Sequence, residues 1–218
     1  MRRSFVIALS LIVLSLLAAS SAFATTVSMT YEGHEGATAQ HGSPYIGYPY
    51  YFSINGSTNY TALICDSYDN GVNLGQTWNA TALPLLQRIA TSMFGPAMAL
   101  DYKAAGLIFK SVLDGTLNRT VAQWAIWGLF SANAASSAYF NSNPIFASTE
   151  AYYLNQALTA PNSAYAGLVL YTPIGGAPGV GPQEYIGYNP VPEPGTLMLM
   201  GTGLIGLAGS IRRKFAKS

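Results

Sequence analysis

Cys65 is the only cysteine among the 218 residues of the chain. A thiol with no partner in its own chain is buried and inert, paired with another molecule, or used chemically. A second unusual residue is Gln123, the one carboxamide in the apolar run Val121-Ala122-Gln123-Trp124-Ala125-Ile126-Trp127-Gly128-Leu129-Phe130. A helix apolar on all faces is buried on all faces, and a buried amide left unpaired costs a few kcal/mol. Gln123 therefore needs a specific partner, while Trp124 and Trp127 at i, i+3 read as core. Two other groups have metal-ligand types. Glu32-Gly33-His34-Glu35 with His41 lacks the spacing of a zinc helix and sits in a Gly-rich stretch, so a solvated loop is expected. Asp66-Ser67-Tyr68-Asp69-Asn70-Gly71-Val72-Asn73 is rich in oxygen ligands but lacks the alternating order and closing Glu of a calcium loop, so a plain turn is expected. No nucleophile elbow, phosphate loop or paired-carboxylate motif is visible, and the chain reads as neither an enzyme nor a holder of metal or cofactor.

The elements that must position Cys65 and Gln123 follow from periodicity. Thr25–Glu32 alternates as a strand, as does Gly47–Ile54, and Asn55-Gly56 is a turn signal leading to a returning strand, Tyr60–Asp66, that carries Cys65. The period then changes. Ala80–Met93 and Ala97–Leu113 have apolar spacing near 3.6 and stop at Gly95 and Gly115, so both read as helices. Thr120–Phe130 and Thr149–Leu158 make a third and a fourth helix, and Ala166–Thr172 and Gln183–Tyr188 return to strand character. Strands, then helices, then strands predict an α+β fold: a β-sandwich or barrel with a helical insertion of about four helices.

Both ends of the chain carry other signals. Met1-Arg2-Arg3, an apolar Phe5–Leu17 and the small-x-small triplet Ala22-Phe23-Ala24 read as a signal peptide over residues 1–24. Residues 25–190 then hold four basic and eight acidic side chains, a net of −4, which argues against nucleic acid as a partner. The body, 25–188, fits one extracellular domain. After it comes a Pro-rich linker, 189–194, with Val191-Pro192-Glu193-Pro194, then a charge-free run, 195–211, and the basic tail 212–218 with Arg212-Arg213-Lys214. As a helix the run would span about 25 Å, close to a bilayer's hydrocarbon thickness, and the basic cluster would stay cytoplasmic. The order V-P-E-P, apolar run, R-R-K resembles the PEP-CTERM sorting signal of Gram-negative bacteria. That resemblance implies an exosortase-like processing enzyme as partner, passage through the inner membrane, a membrane anchor in the C-terminal helix, and a final place at the cell surface or in the extracellular matrix.

The body has a resemblance of its own. A Cys on an early strand, intervening helices, then Gln123-Trp124-Ala125-Ile126-Trp127 is similar to the thioester domains of bacterial surface adhesins. Two positions differ: Ala122 stands where the family has Thr, and Ile64 where it has an aromatic. The resemblance implies that Cys65 sulfur and the Gln123 side-chain carbonyl condense with loss of ammonia, and that an amine on a target surface later opens the thioester. Two functions stay open. One is a covalent adhesin that engages surface amines or polysaccharide. The other is a passive structural component of the envelope or exopolysaccharide matrix, with Cys65 and Gln123 as inert core.

Overall fold

A computed structural model of the chain describes residues 25–34 and 47–189. Its centre is a closed six-stranded barrel of β1 (Thr25–His34), β2 (Tyr50–Ile54), β3 (Thr61–Cys65), β4 (Thr77–Pro84), β5 (Leu168–Pro173) and β6 (Tyr185–Tyr188). The strand order is β1-β2-β3-β6-β5-β4, with β4 returning to β1. Every neighbouring pair is antiparallel. Closure removes the free edges that would otherwise template pairing with another chain. Of the two expected architectures, sandwich or barrel, the barrel is the one adopted.

Strand alternation sorts the core into two clusters. Val27, Met29, Tyr31, Tyr50, Phe52, Leu63, Cys65, Ala80, Tyr171 and Tyr185 form one, on the barrel's inner face. Its aromatic rings meet edge-on, as with Phe52 and Tyr185 at 4.7 Å and 62°. Gly187 belongs to this layer for a steric reason: a Cβ there would lie 2.6 Å from Leu63 and 2.8 Å from Tyr171. The opposite faces, including Ile64, Leu168, Leu170 and Ile186, join the helices in the second cluster.

The helices form a single insertion between β4 and β5. They comprise α1 (Leu85–Arg88), α2 (Ala99–Leu113), α3 (Arg119–Phe130), α4 (Ala132–Ser136), α5 (Ala138–Asn141) and α6 (Ile145–Thr159), with short 3-10 turns between. The three long ones, α2, α3 and α6, pack on one another. Two expectations need correction. Ala80–Met93 is not one helix. Thr77–Pro84 is β4, and only Leu85–Arg88 and a 3-10 turn, Ile89–Thr91, follow. Its alanines face other strands across the ladder, Ala80 opposite Val27 and Ala82 opposite Thr25, so pairing overrides their helical preference. Helices α4 and α5 were not expected from periodicity. Ser131 ends α3 and caps α4 through a bond from the Ala134 N–H, and Ser137 ends α4 and caps α5 through the Phe140 N–H. Among the described residues no helix is long and apolar enough to cross a membrane. The run 195–211, expected to be a membrane helix, lies outside the described residues.

Candidate functional site

Cys65 is the last residue of β3 and is fully buried, its side chain directed to the barrel cluster. Gln123 sits one turn into α3. That helix starts where it does because the Asn118 side chain accepts from the N–H groups of Thr120 and Val121. Trp124 and Trp127, at 3% and 2% exposure, plug the barrel cluster from the helix side, while Ala122, Ala125, Ile126 and Leu129 face the other cluster. Gln123 is thereby held at the seam between the two. Its Nε2 donates to the Cys65 backbone carbonyl at 2.6 Å. The sequence-predicted pair is thus brought together. The Gln123 Oε1 is buried and accepts no hydrogen bond among the described residues. Gly47 lies over the Gln123 stem, where a Cβ would sit 3.9 Å from Cβ and Cγ of the glutamine.

The thiol is electrically quiet. Burial, and then the neighbouring Asp66 carboxyl, push the Cys65 pKa up to about 12, although Trp127 and Ser67 bonds act in the other direction. The Sγ–H points to the Ser67 carbonyl at 3.7 Å. At neutral pH the residue is therefore a neutral thiol, protected from bulk oxidants and disulfide exchange.

The acidic loop after Cys65 does not converge on a common point. Asp66 turns inward beside Glu184. Asp69 instead accepts from Ser131 Oγ at 2.7 Å and Asn133 Nδ2 at 2.8 Å, tying the loop to the α3–α4 junction. The Asn70 amide donates to the carbonyls of Ala177 and Gly181 and accepts from the Gly179 N–H, holding the β5–β6 loop. These contacts make the loop a structural knot. Glu32 and His34 lie on β1, whereas Glu35 and His41 fall outside the described residues. Among the described residues no three His, Cys, Asp or Glu side chains gather as a metal would require.

Glu184 is the neighbour that sequence reasoning missed. It looked like an ordinary residue entering a strand, and only the β3–β6 register sets it beside Asp66 and hence one position from Cys65. The signal available was weak: it is one of few acidic residues in the body, placed next to an apolar strand.

Residues 190–214 match the PEP-CTERM protein-sorting motif. The matched segment contains Val191-Pro192-Glu193-Pro194 and Arg212-Arg213-Lys214. This supports a protein sorted by exosortase and exported to the cell surface or beyond. These residues, and the Ala22 and Ala24 of the expected signal cleavage site, lie outside the described residues. No curated protein matches the chain. No solved structure matches it either.

Proposed function

We propose that the barrel domain is a covalent adhesion module in which Cys65 and Gln123 form an internal thioester. The observation that carries this reading is the 2.6 Å bond between the Gln123 amide and the Cys65 carbonyl, which joins the chain's one thiol residue to its one amide in an apolar helix. In the step, Cys65 Sγ attacks the Gln123 side-chain carbonyl carbon. The S–C bond forms, the C–N bond breaks, and the thiol proton leaves with the nitrogen as ammonia. A target amine later attacks the same carbon, giving an amide and returning the thiol. Shelter from water favours this chemistry by preventing hydrolysis before the amine arrives, and both residues are buried. Export and exosortase sorting would deliver the module to the surface where such amines are found, with a transient anchor over residues 195–211.

One observation favours the passive alternative. The thiol is satisfied by Ser67, and the amide by a backbone carbonyl, as in an inert core. A single experiment separates the two readings and also tests the sorting step. Intact mass is measured on the mature protein from its native host, purified without strong amines. The thioester reading expects a deficit of one ammonia, abolished by Cys65→Ala and by Gln123→Ala, and methylamine adding to the wild type alone. The full calculated mass with a Cys65 that alkylates only on unfolding would establish the passive reading. The same spectrum expects loss of the residues after the Pro192-Glu193-Pro194 motif, and a C-terminus intact to Ser218 would refute processing there.

A further inference from the structure

The β3–β6 ladder continues one step past the pair Cys65↔Tyr185 and sets Asp66 opposite Glu184. The Asp66 N–H donates to the Glu184 carbonyl at 3.3 Å. Directly opposed residues on antiparallel strands share a face, and like charges there repel. Both residues are fully buried, at 0% exposure. Their donors are unevenly distributed. The Glu184 carboxyl accepts from the Met93 N–H at 3.0 Å and from the hydroxyls of Tyr102 and Thr172. Both Asp66 oxygens are buried, and no N–H or O–H donor reaches them among the described residues. A carboxylate with three donors is stable as an anion, whereas a buried carboxyl with none is not. When Asp66 carries a proton it becomes a donor, and its natural acceptor is the Glu184 carboxylate facing it.

We propose that Asp66 and Glu184 share one buried proton, carried by Asp66, and that this acid–carboxylate pair is a pH-sensitive latch holding the end of β3 in register. Asp66 is a positioning residue for Cys65. The latch segment is anchored on both sides. The Ser67 Oγ accepts from the Glu184 N–H at 2.7 Å, and the Gln183 amide donates to the Asn70 carbonyl at 2.7 Å. One residue upstream, the Cys65 carbonyl holds Gln123. Loss of the proton leaves two buried anions opposed, and the end of β3, with the Cys65–Gln123 contact, is what must yield.

The other groups facing the pair keep their charge across the useful pH range. Tyr102 on α2 and Tyr185 on β6 are pushed upward by burial and stay neutral, as does Cys65 at about 12. Arg88 on α1, whose Nε donates to Thr172 Oγ1 at 3.0 Å, stays cationic. Burial first, and then Glu184, push the Asp66 carboxyl well above the usual range, in the direction the donor count requires. The native state thus keeps a proton that the unfolded chain has lost above about pH 4. Latch stability is full below that pH and declines as pH rises toward the folded value.

The latch rests on the thioester reading only for its consequence, as regulation of that site, and its test does not use the thioester. Thermal melts of the full chain are compared between pH 5 and pH 9 for wild type and Asp66→Asn. The asparagine amide donates to Glu184 without a titratable proton. Relative to this variant, wild type should lose roughly 3–5 °C of Tm per pH unit until its proton is gone, and Asp66→Asn should melt higher at pH 9. Parallel profiles would overturn the proposal. If the variant does not fold, infrared spectroscopy of Glu150→Gln protein followed from pH 5 to pH 9 decides. A carbonyl band from a protonated carboxylic acid, absent after unfolding, supports the latch, and its absence overturns it. Cys65→Ala should keep the wild-type pH profile. A protein with the latch but no ammonia deficit would refute the thioester alone, and the reverse result would refute the latch alone.

Discussion

Replacing Trp124 with Ala tests whether α3 plugs the barrel. Trp124 is 3% exposed and stacks on Phe146 at 5.9 Å and 11°. It meets Trp127 edge-on at 5.2 Å and Tyr139 at 5.0 Å, and tilts against Tyr68 at 5.8 Å. A buried Trp removes about 150–250 Å² from water, worth about 4–6 kcal/mol at ~25 cal/mol per Å², an upper figure because the unfolded chain is itself partly compact. Measured Trp→Ala costs in cores run about 3–5 kcal/mol. In a domain of this size each kcal/mol moves Tm by roughly 2–4 °C, so a fall of roughly 6–20 °C is expected. Trp124→Phe, which keeps an aromatic face against Phe146, should recover much of that loss. The assay is thermal unfolding of the purified chain followed by near-ultraviolet circular dichroism. A fall smaller than about 2 °C, the size expected for a surface site, would show that α3 does not close the barrel.

Two further substitutions probe the contact between α3 and α6. Gly128→Ala would ordinarily favour a helix by about 1 kcal/mol, but here a Cβ would lie 1.7 Å from Glu150 Oε1 and 2.7 Å from Phe140. A net destabilisation of about 1–3 kcal/mol is expected from the overpacking, read as a lower melting temperature, and a more stable variant would refute the close approach. Burial, and then Asp101, raise the Glu150 pKa to about 7. Its native form therefore holds a proton longer than the unfolded chain, and stability falls as pH climbs from about 4.5 to about 7. Glu150 is only partly buried, so solvent screening reduces the effect to about 1 kcal/mol. Glu150→Gln should match wild type at pH 4.5 and exceed it at pH 8 in denaturant titrations, and equal pH dependence would count against the shift.

The legible parts of the sequence were those in which one local signal decides the structure. The alternation of Val27, Met29 and Tyr31 marks β1, and Gly115 closes α2, just as expected from period and punctuation. The Gln123 amide could be flagged because it stands alone in an apolar helix. Its need for a partner is met by the Cys65 carbonyl. What was hidden is what depends on register between distant strands. Thr77–Pro84 has an alanine-rich helical look, and only pairing with β1 and β5 makes it a strand. Asn55-Gly56 does adopt left-handed φ values, but β3 pairs back only from Thr61, so the turn signal fixed the bend and not the loop length. Likewise, Asp66 read as the end of a strand entering a plain turn, and only the register of β6 sets Glu184 opposite it.

A thiol with a raised pKa is an odd choice for a nucleophile, and the balance of two magnitudes decides whether it is disqualifying. Moving the Cys65 pKa from 9.0 to about 12 lowers its thiolate fraction by about a thousandfold, one decade per unit. Holding nucleophile and carbonyl in a fixed, aligned pair is worth about 10⁵–10⁸ M in effective molarity. In the proposed thioester, where Sγ would have to be aligned on the Gln123 carbonyl carbon, proximity would exceed the suppression by about two decades or more, for this one intramolecular partner only. Every external reagent suffers the suppression without the compensation, and is also excluded by burial. The same environment thus protects Cys65 from oxidation and stray disulfides in an oxidising compartment, and in the proposed thioester only Gln123 would offset the suppression. A Cys65 more exposed and more acidic would react faster with everything, and would lose that selectivity.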